Sequence, residues 1–172
     1  ITAVEVFVAP NKEAQSISMG KMQLQSGYFN GTKGAETSMQ TGTQEMTAEE
    51  IAAKKKSVGL IPEMNYKTSG MEYSIKGIET LNGKQYYVLE SNDGETKKTD
   101  YFDKTTFLKY KTVTVTTKDG ETFESERIMS DYKDVNGILF AHKFTQSVSG
   151  LNLSGEMKSI QVNGTIDSKM FE

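Results

Sequence analysis

Cysteine and tryptophan are absent from this chain, histidine occurs once and proline twice. Without cysteine there is no thiol nucleophile, no disulfide and no thiolate metal site. That absence is compatible with an oxidising compartment. The one histidine, His142, has no second imidazole to share a metal. The zinc-peptidase patterns H-E-x-x-H and H-x-x-E-H are both missing. No apolar run approaches the ~20 residues of a membrane span, and no secretory signal peptide is visible. Charge of one sign is also lacking. The 20 basic and 23 acidic residues leave a net charge of −3, which argues against a nucleic-acid binder with its usual basic stripe. Lys54-Lys55-Lys56 is the only basic run and reads as a solvated helix face.

What is present is a polar chain, rich in Thr, Ser, Lys and Gly, of 172 residues. That length suits one domain, residues 1–172, with a core that needs no staples. The chain opens directly in a strand-like segment, Ile1 to Val8. The expectation is a domain excised from a longer precursor, or a mature fragment.

Asn-Gly and Asp-Gly pairs punctuate the sequence at Asn30-Gly31, Asn82-Gly83, Asp93-Gly94, Asp119-Gly120, Asn136-Gly137 and Asn163-Gly164. Such pairs suit two-residue hairpins, because both central residues of a type I′ turn need positive φ. The segments between them have strand periodicity. Met71, Tyr73 and Ile75 alternate with polar residues. Around Tyr86 to Leu89 both phases are apolar, which fits a more central strand. Phe107 to Thr117 is rich in Thr and Val, residues of high β propensity. Phe123 to Tyr132 follows, then Ile138 to Phe144. A last strand is expected over Leu153 to Val162, with a bulge near Lys158 to reconcile its two apolar phases. Gly20 is expected to do the same between Ile17/Met19 and Met22/Leu24. Gly27 to Gly42 reads as an irregular hairpin and loop.

One helix is expected, over about 47–58. Thr47 and Glu50 form a capping box, with Met46 and Ile51 placed for a hydrophobic staple. Acidic residues open the segment and lysines close it, as the helix dipole favours. Gly59 and Pro62 end it. Ala48, Ile51, Ala52 and Val58 give it an apolar side. The predicted fold class is therefore mainly β (α+β). Two or three strands, the helix and about six more strands would form a strongly curved antiparallel sheet, an incomplete half-barrel with the helix as lid.

No catalytic constellation emerges. His142 lies in phase with Ile138, Phe140 and Phe144 and reads as a half-buried strand histidine. The Ser-Gly pairs at 26–27, 69–70 and 149–150 read as turns, and no G-x-S-x-G elbow occurs. Asn92 to Glu95 lacks the spaced carboxylates of a calcium loop. Asp131 and Asp134 read as solvated turn charge. No enzyme activity, metal or cofactor is expected. The positive signal is nine methionines with eight tyrosines and eight phenylalanines. Methionine makes adaptable apolar surfaces, and one sheet with one helix leaves apolar surface for a ligand or partner.

Three segments carry a family resemblance. Tyr101-Phe-Asp-Lys-Thr-Thr-Phe-Leu108 is similar to the Y-F-D-x-x-T-x-L strand–turn–strand of periplasmic lipoprotein-carrier domains, the LolA/LolB-like superfamily. Asp131-Tyr-Lys-Asp-Val-Asn-Gly-Ile-Leu-Phe140 resembles their D-Y-x-x-V-x-G-x-x-F-P pair, with Ala141 where proline is common. Phe7-Val-Ala-Pro-Asn-Lys12, followed by Ser16 to Met19, looks like their first hairpin. Similar segments form the C-terminal extension of insulinase-type zinc proteases of Gram-negative bacteria, and Ile160 to Phe171 looks like the end of such chains. The resemblance implies a half-barrel holding acyl chains, in the periplasm or at the outer membrane. The expected function is non-catalytic binding of a lipid or lipoprotein acyl chain in the concave face. Its expected lining is Met19, Met22, Leu24, Tyr73, Ile75, Tyr86, Val88 and Phe140. The alternatives are an accessory domain of a zinc protease whose motif lies outside this chain, and a structural module that binds protein by edge pairing.

Overall fold

The structure is a computed structural model. It describes the chain except residues 58, 60, 67–70, 119 and 149, and the side chains of 56, 57, 62, 65 and 118. The described residues fall into two compact units, Ile1–Gly70 with Thr165–Glu172, and Met71–Gly164.

The first unit is built on a five-stranded antiparallel sheet in sequential order. Its strands are β1 (Thr2–Val8), β2 (Lys12–Met19), β3 (Met22–Phe29), β4 (Gly34–Ser38) and β5 (Gly42–Glu45). The first hairpin turns through a cis Ala9–Pro10 bond. Five strands, not two or three, thus precede the helix, and Gly27 to Gly42 is mostly sheet. β4 and β5 carry almost no apolar alternation. They are held by their ladder and by hydroxyl pairs such as Thr37 with Thr43, 2.9 Å apart. Gly20 sits in the β2–β3 turn at φ 61. The bulge falls on β3 instead: Ile17 pairs with Gln25 and Ser18 with Gln23, leaving Leu24 as the extra residue.

The helix α1 (Ala48–Ser57) starts where the capping box places it. Thr47 N–H and Oγ1 donate to Glu50 Oε2 at 2.7 and 3.0 Å, and Glu50 N–H donates to Thr47 Oγ1 at 3.3 Å. These bonds to Thr47, backbone first, hold the Glu50 carboxyl below its ordinary value. The half-buried helix positions are Ile51 and Lys54, while Ala48 and Ala52 are exposed. Lys54 Nζ reaches Glu13 Oε1 on β2 at 2.8 Å, so one lysine of the basic run is an anchor. Val58, expected on the apolar side, lies outside the described residues. Thr47→Ala removes the acceptor for Glu50 N–H and is expected to cost about 1 kcal/mol in denaturant unfolding.

Register assigns the faces of the sheet, because directly paired antiparallel residues point the same way. Ala14, Tyr28 and Ala35 share one face, and Glu13, Phe29 and Gly34 the other. Phe29 is fully buried. The C-terminal 3₁₀ turn, Ser168–Phe171, returns to β2 and β3. Phe171 is buried there, its carbonyl accepting from Asn30 Nδ2 at 3.4 Å and its ring under Lys12 Nζ at 5.9 Å.

The second unit is a seven-stranded antiparallel meander. It runs β6 (Glu72–Leu81), β7 (Lys84–Asn92), β8 (Thr96–Asp103), β9 (Lys109–Lys118), β10 (Glu121–Val135), β11 (Ile138–Val148) and β12 (Leu151–Glu156). Asn82-Gly83 and Asn136-Gly137 make the two-residue hairpins their sequence dictates, all four residues at positive φ. Asp119 of the β9–β10 turn lies outside the described residues. β9 begins at Lys109 rather than Phe107, because Phe107 sits at φ 60 in the preceding turn. β12 stops at Glu156. The phase change after Met157 is therefore the end of a strand, with Met157 N–H on the His142 carbonyl at 2.8 Å, and not a bulge at Lys158. Neither sheet closes into a barrel. The expected class, mainly β and antiparallel with one short helix, is what the chain adopts.

Candidate functional site

In the second unit, register again sorts the side chains. A bulge at Lys76/Gly77, with Gly77 at φ 110, shifts β6 against β7. It brings Ile78 onto the face of Tyr73 and Ile75, although their sequence spacing is odd. Tyr73 pairs with Ser91, Ile75 with Leu89 and Ile78 with Tyr87. Tyr87 continues to Phe102 and Leu89 to Asp100. Further along the same face lie Arg127, Met129, Phe140 and Phe144.

This face carries exposed apolar side chains at its β6–β7 end. Ile75 is 79% exposed, Phe107 68%, Ile78 47% and Tyr87 37%. The Phe107 and Tyr87 rings stack with centroids 6.1 Å apart and planes within 5°. Phe107 is held out at φ 60 by its turn. Asp103 Oδ1 accepts from the N–H groups of Thr105 and Thr106, both at 2.9 Å, and Phe107 N–H donates to the Asp103 carbonyl at 2.8 Å. Those backbone donors, Thr106 first, hold the Asp103 carboxyl below its ordinary value. Positive φ is costly for a bulky residue. The turn thus spends strain to present an aromatic ring to solvent.

Towards the other end, Arg127 stands 4.2 Å over the Phe144 ring. That ring lies across Gly155 of β12, where a Cβ would collide with it. Asp100, nearly buried between these regions, accepts from Thr112 Oγ1 at 2.5 Å and pairs with Lys109 at 3.4 Å. These are structural contacts between neighbouring strands.

The opposite face holds Tyr86 and Val88, 4% and 2% exposed. Tyr86 stacks on Tyr110 at 4.8 Å. Burial first, then Tyr110 and Asp103, push its hydroxyl above the usual range. Tyr101, on the same face, lies under Lys111 Nζ at 4.6 Å.

Of the eight residues expected to line one site, five belong to the second unit and three to the first. Tyr73, Ile75 and Phe140 share the partly exposed face. Tyr86 and Val88 lie on the reverse of the same sheet. Met19, Met22 and Leu24 belong to the β2–β3 hairpin of the first unit. Sequence reading passed over Ile78, Tyr87 and Phe107. The apolar pair Tyr86/Val88 alternating with Tyr87/Leu89 was the available signal, since it marks a strand with two apolar faces.

His142 is half-buried, and its Nδ1–H donates to the Phe140 carbonyl at 3.0 Å. Asp131 stands in β10 at φ 56 and pairs with Lys133 at 3.1 Å and Lys143 at 3.8 Å. The Lys133 hydrogen bond leads in lowering its carboxyl. It is therefore solvated as expected, but as a lysine-paired strand residue and not in a turn. Among the described residues, no group of three or more His, Asp or Glu side chains could hold a metal. No described helix is long and apolar enough to cross a membrane.

No protein-family model matches this chain, and no curated protein matches it in sequence. Solved structures do match. A protein described as an outer membrane lipoprotein-sorting protein domain, from Vibrio parahaemolyticus, superposes with a TM-score of 0.65 at 12% identity, over 98% of this chain and 79% of its own. A DUF1329 family protein from Desulfovibrio piger gives 0.67 at 12% identity, over 99% and 80%. A LolA superfamily protein from Nitrosomonas europaea gives 0.64 at 12% identity, over 94% and 76%. At this identity the likeness is one of fold: the chain adopts the fold of LolA-superfamily proteins, as its strand–turn–strand motifs implied.

Proposed function

We propose that this chain is a non-catalytic carrier-type domain that binds an apolar ligand, an acyl chain of a lipid or lipoprotein, on its seven-stranded sheet. The observation that carries the reading is the exposed group Ile75, Ile78, Tyr87 and Phe107 on one face. Contiguous exposed apolar surface usually marks an interaction site. Each methylene buried there would contribute about 0.8 kcal/mol. Fold likeness to a lipoprotein-sorting domain supports the ligand class and, with it, a periplasmic or outer-membrane setting. Matches over 94 to 99% of the chain support residues 1–172 as one carrier-like domain. The balanced charge, −3 net, supports no nucleic-acid role.

The test is titration with a fluorescent fatty-acyl probe. Phe107→Gly removes the stacked ring, worth about 0.5–1.5 kcal/mol with its partner, and also relieves a strain of about 1–3 kcal/mol. Its stability is expected to hold or rise while affinity falls several-fold. Ile75→Ser, at a site 79% exposed, is expected to weaken the probe without lowering stability. Unchanged affinity in both variants would remove this face as the site.

A further inference from the structure

Arg127 is the single arginine of the chain. It is exposed, and its guanidinium carbon stands 4.2 Å from the centroid of the Phe144 ring. That contact draws on the ring quadrupole and leaves the five N–H donors for oxygen acceptors. Among the described residues Arg127 has no hydrogen bond and no ion pair. The nearby carboxylates are engaged elsewhere. Glu126, the preceding strand residue, points to the reverse face and pairs with Lys111 at 3.2 Å. Asp100 pairs with Lys109 at 3.4 Å, and Asp131 with Lys133 at 3.1 Å.

Register places this cation at the end of an apolar row. Leu89, Asp100, Thr112, Arg127 and Gln146 lie in one row across β7 to β11. One step along each strand, in the same direction and on the same face, runs a second row. It begins at Ile78 and Tyr87, passes Phe102 and ends at Met129 and Phe144. β9 fills its place there with Lys109, opposite Phe102; Asp100 answers that charge. Exposed Ile78 and Tyr87 are thus joined, through half-buried Phe102, Met129 and Phe144, to a guanidinium with no oxygen partner. Tyr87 on β7 and Arg127 on β10 are three strand spacings apart, about 14 Å, within the reach of a long acyl chain.

We infer that the acyl ligand carries an anionic head, a carboxylate or phosphate, which Arg127 holds while the tail lies along the second row. The inference rests on the acyl-ligand reading and adds to it the charge and direction of the ligand. The planar guanidinium fork meets two oxygens of either group at once and is weakly hydrated. Its seat over Phe144 restrains the side chain before binding, so less freedom is lost when the head docks.

The test is displacement of a fluorescent acyl probe with a neutral head by three ligands of one tail and different heads: laurate, dodecyl phosphate and dodecanol. The two anions are expected to displace it at about tenfold lower concentration than dodecanol, the low end of charge-assisted hydrogen bonding, as suits an exposed site. Arg127→Gln is expected to bring both anions to the level of dodecanol, with the dodecanol affinity and the urea midpoint unchanged. Arg127→Lys keeps the charge without the fork and is expected to retain part of the preference. Lys98→Gln, exposed on the same face but off the second row, is expected to retain all of it. Equal displacement by laurate and dodecanol in the parent would overturn the anionic head and leave the acyl reading standing. A probe that does not bind, or that none of the three displaces, would remove both. Loss of dodecanol binding in Arg127→Gln, or of the anion preference in Lys98→Gln, would overturn the role of Arg127. Inorganic phosphate competing as well as dodecyl phosphate would make this a free-anion site and overturn the headgroup assignment.

Discussion

Phe29→Ala is expected to destabilise the five-stranded unit by about 3–5 kcal/mol, the usual cost of emptying a buried phenylalanine site. The Phe29 ring is fully buried, on the sheet face from which Glu13 pairs with Lys54 of α1. Among the described residues of this unit few other large side chains share that burial; Gly34, paired with Phe29, has no side chain, and Phe171 comes from the far end of the sequence. A core with so few large members has little material to collapse into the gap. Urea unfolding followed by circular dichroism reads the loss directly. A change below about 1 kcal/mol, the range of surface substitutions and weak contacts, would mean that Phe29 does not anchor this unit.

The second large effect is expected at Gly34. This residue opens β4, is buried, and pairs with Phe29. A Cβ there would stand 2.5 Å from the Tyr28 carbonyl oxygen and 2.6 Å from Met46 Sδ. The methionine end can move, but the carbonyl belongs to the sheet ladder and cannot without breaking pairing. Gly34→Ala is therefore expected to cost at least the 1–3 kcal/mol of an overpacked core site. Gly42 serves as the control. Its Cβ would meet nothing within 4 Å, so Gly42→Ala should reflect only the strain of φ 67. If the two alanine variants unfold alike, the close approach at Gly34 is not what requires glycine.

Much of this fold could be read from local chemistry. The Thr47/Glu50 box, the Asn82-Gly83 turn and the Asn136-Gly137 turn each specify their geometry within four residues, and each forms as expected. Strands β4 and β5 escaped notice because they are stabilised by ladder and hydroxyl pairing, which leaves no apolar period in sequence. The last strand was overextended, because Ile160 and Val162 look like strand residues but follow the final pair, Lys143 with Glu156.

The candidate site was legible only in part, for a related reason. Tyr73, Ile75, Tyr86 and Val88 look alike as apolar strand residues. Which face each takes depends on the pairing of Ile75 with Leu89 and on the bulge at Lys76/Gly77, both properties of two strands together. The same bulge is what adds Ile78 to the exposed group, opposite Tyr87. Phe107 was visible as a motif position and as the start of a strand; its outward ring depends on a positive φ that no side-chain pattern announces.

The most direct check on the central claim is native mass spectrometry of the intact chain after incubation with a diacyl phospholipid and with an acylated peptide. Binding of an acyl ligand on the seven-stranded sheet predicts a discrete one-ligand adduct that Phe107→Gly and Ile75→Ser diminish. A spectrum of unliganded protein alone, or adducts of equal abundance in parent and variants, would contradict it.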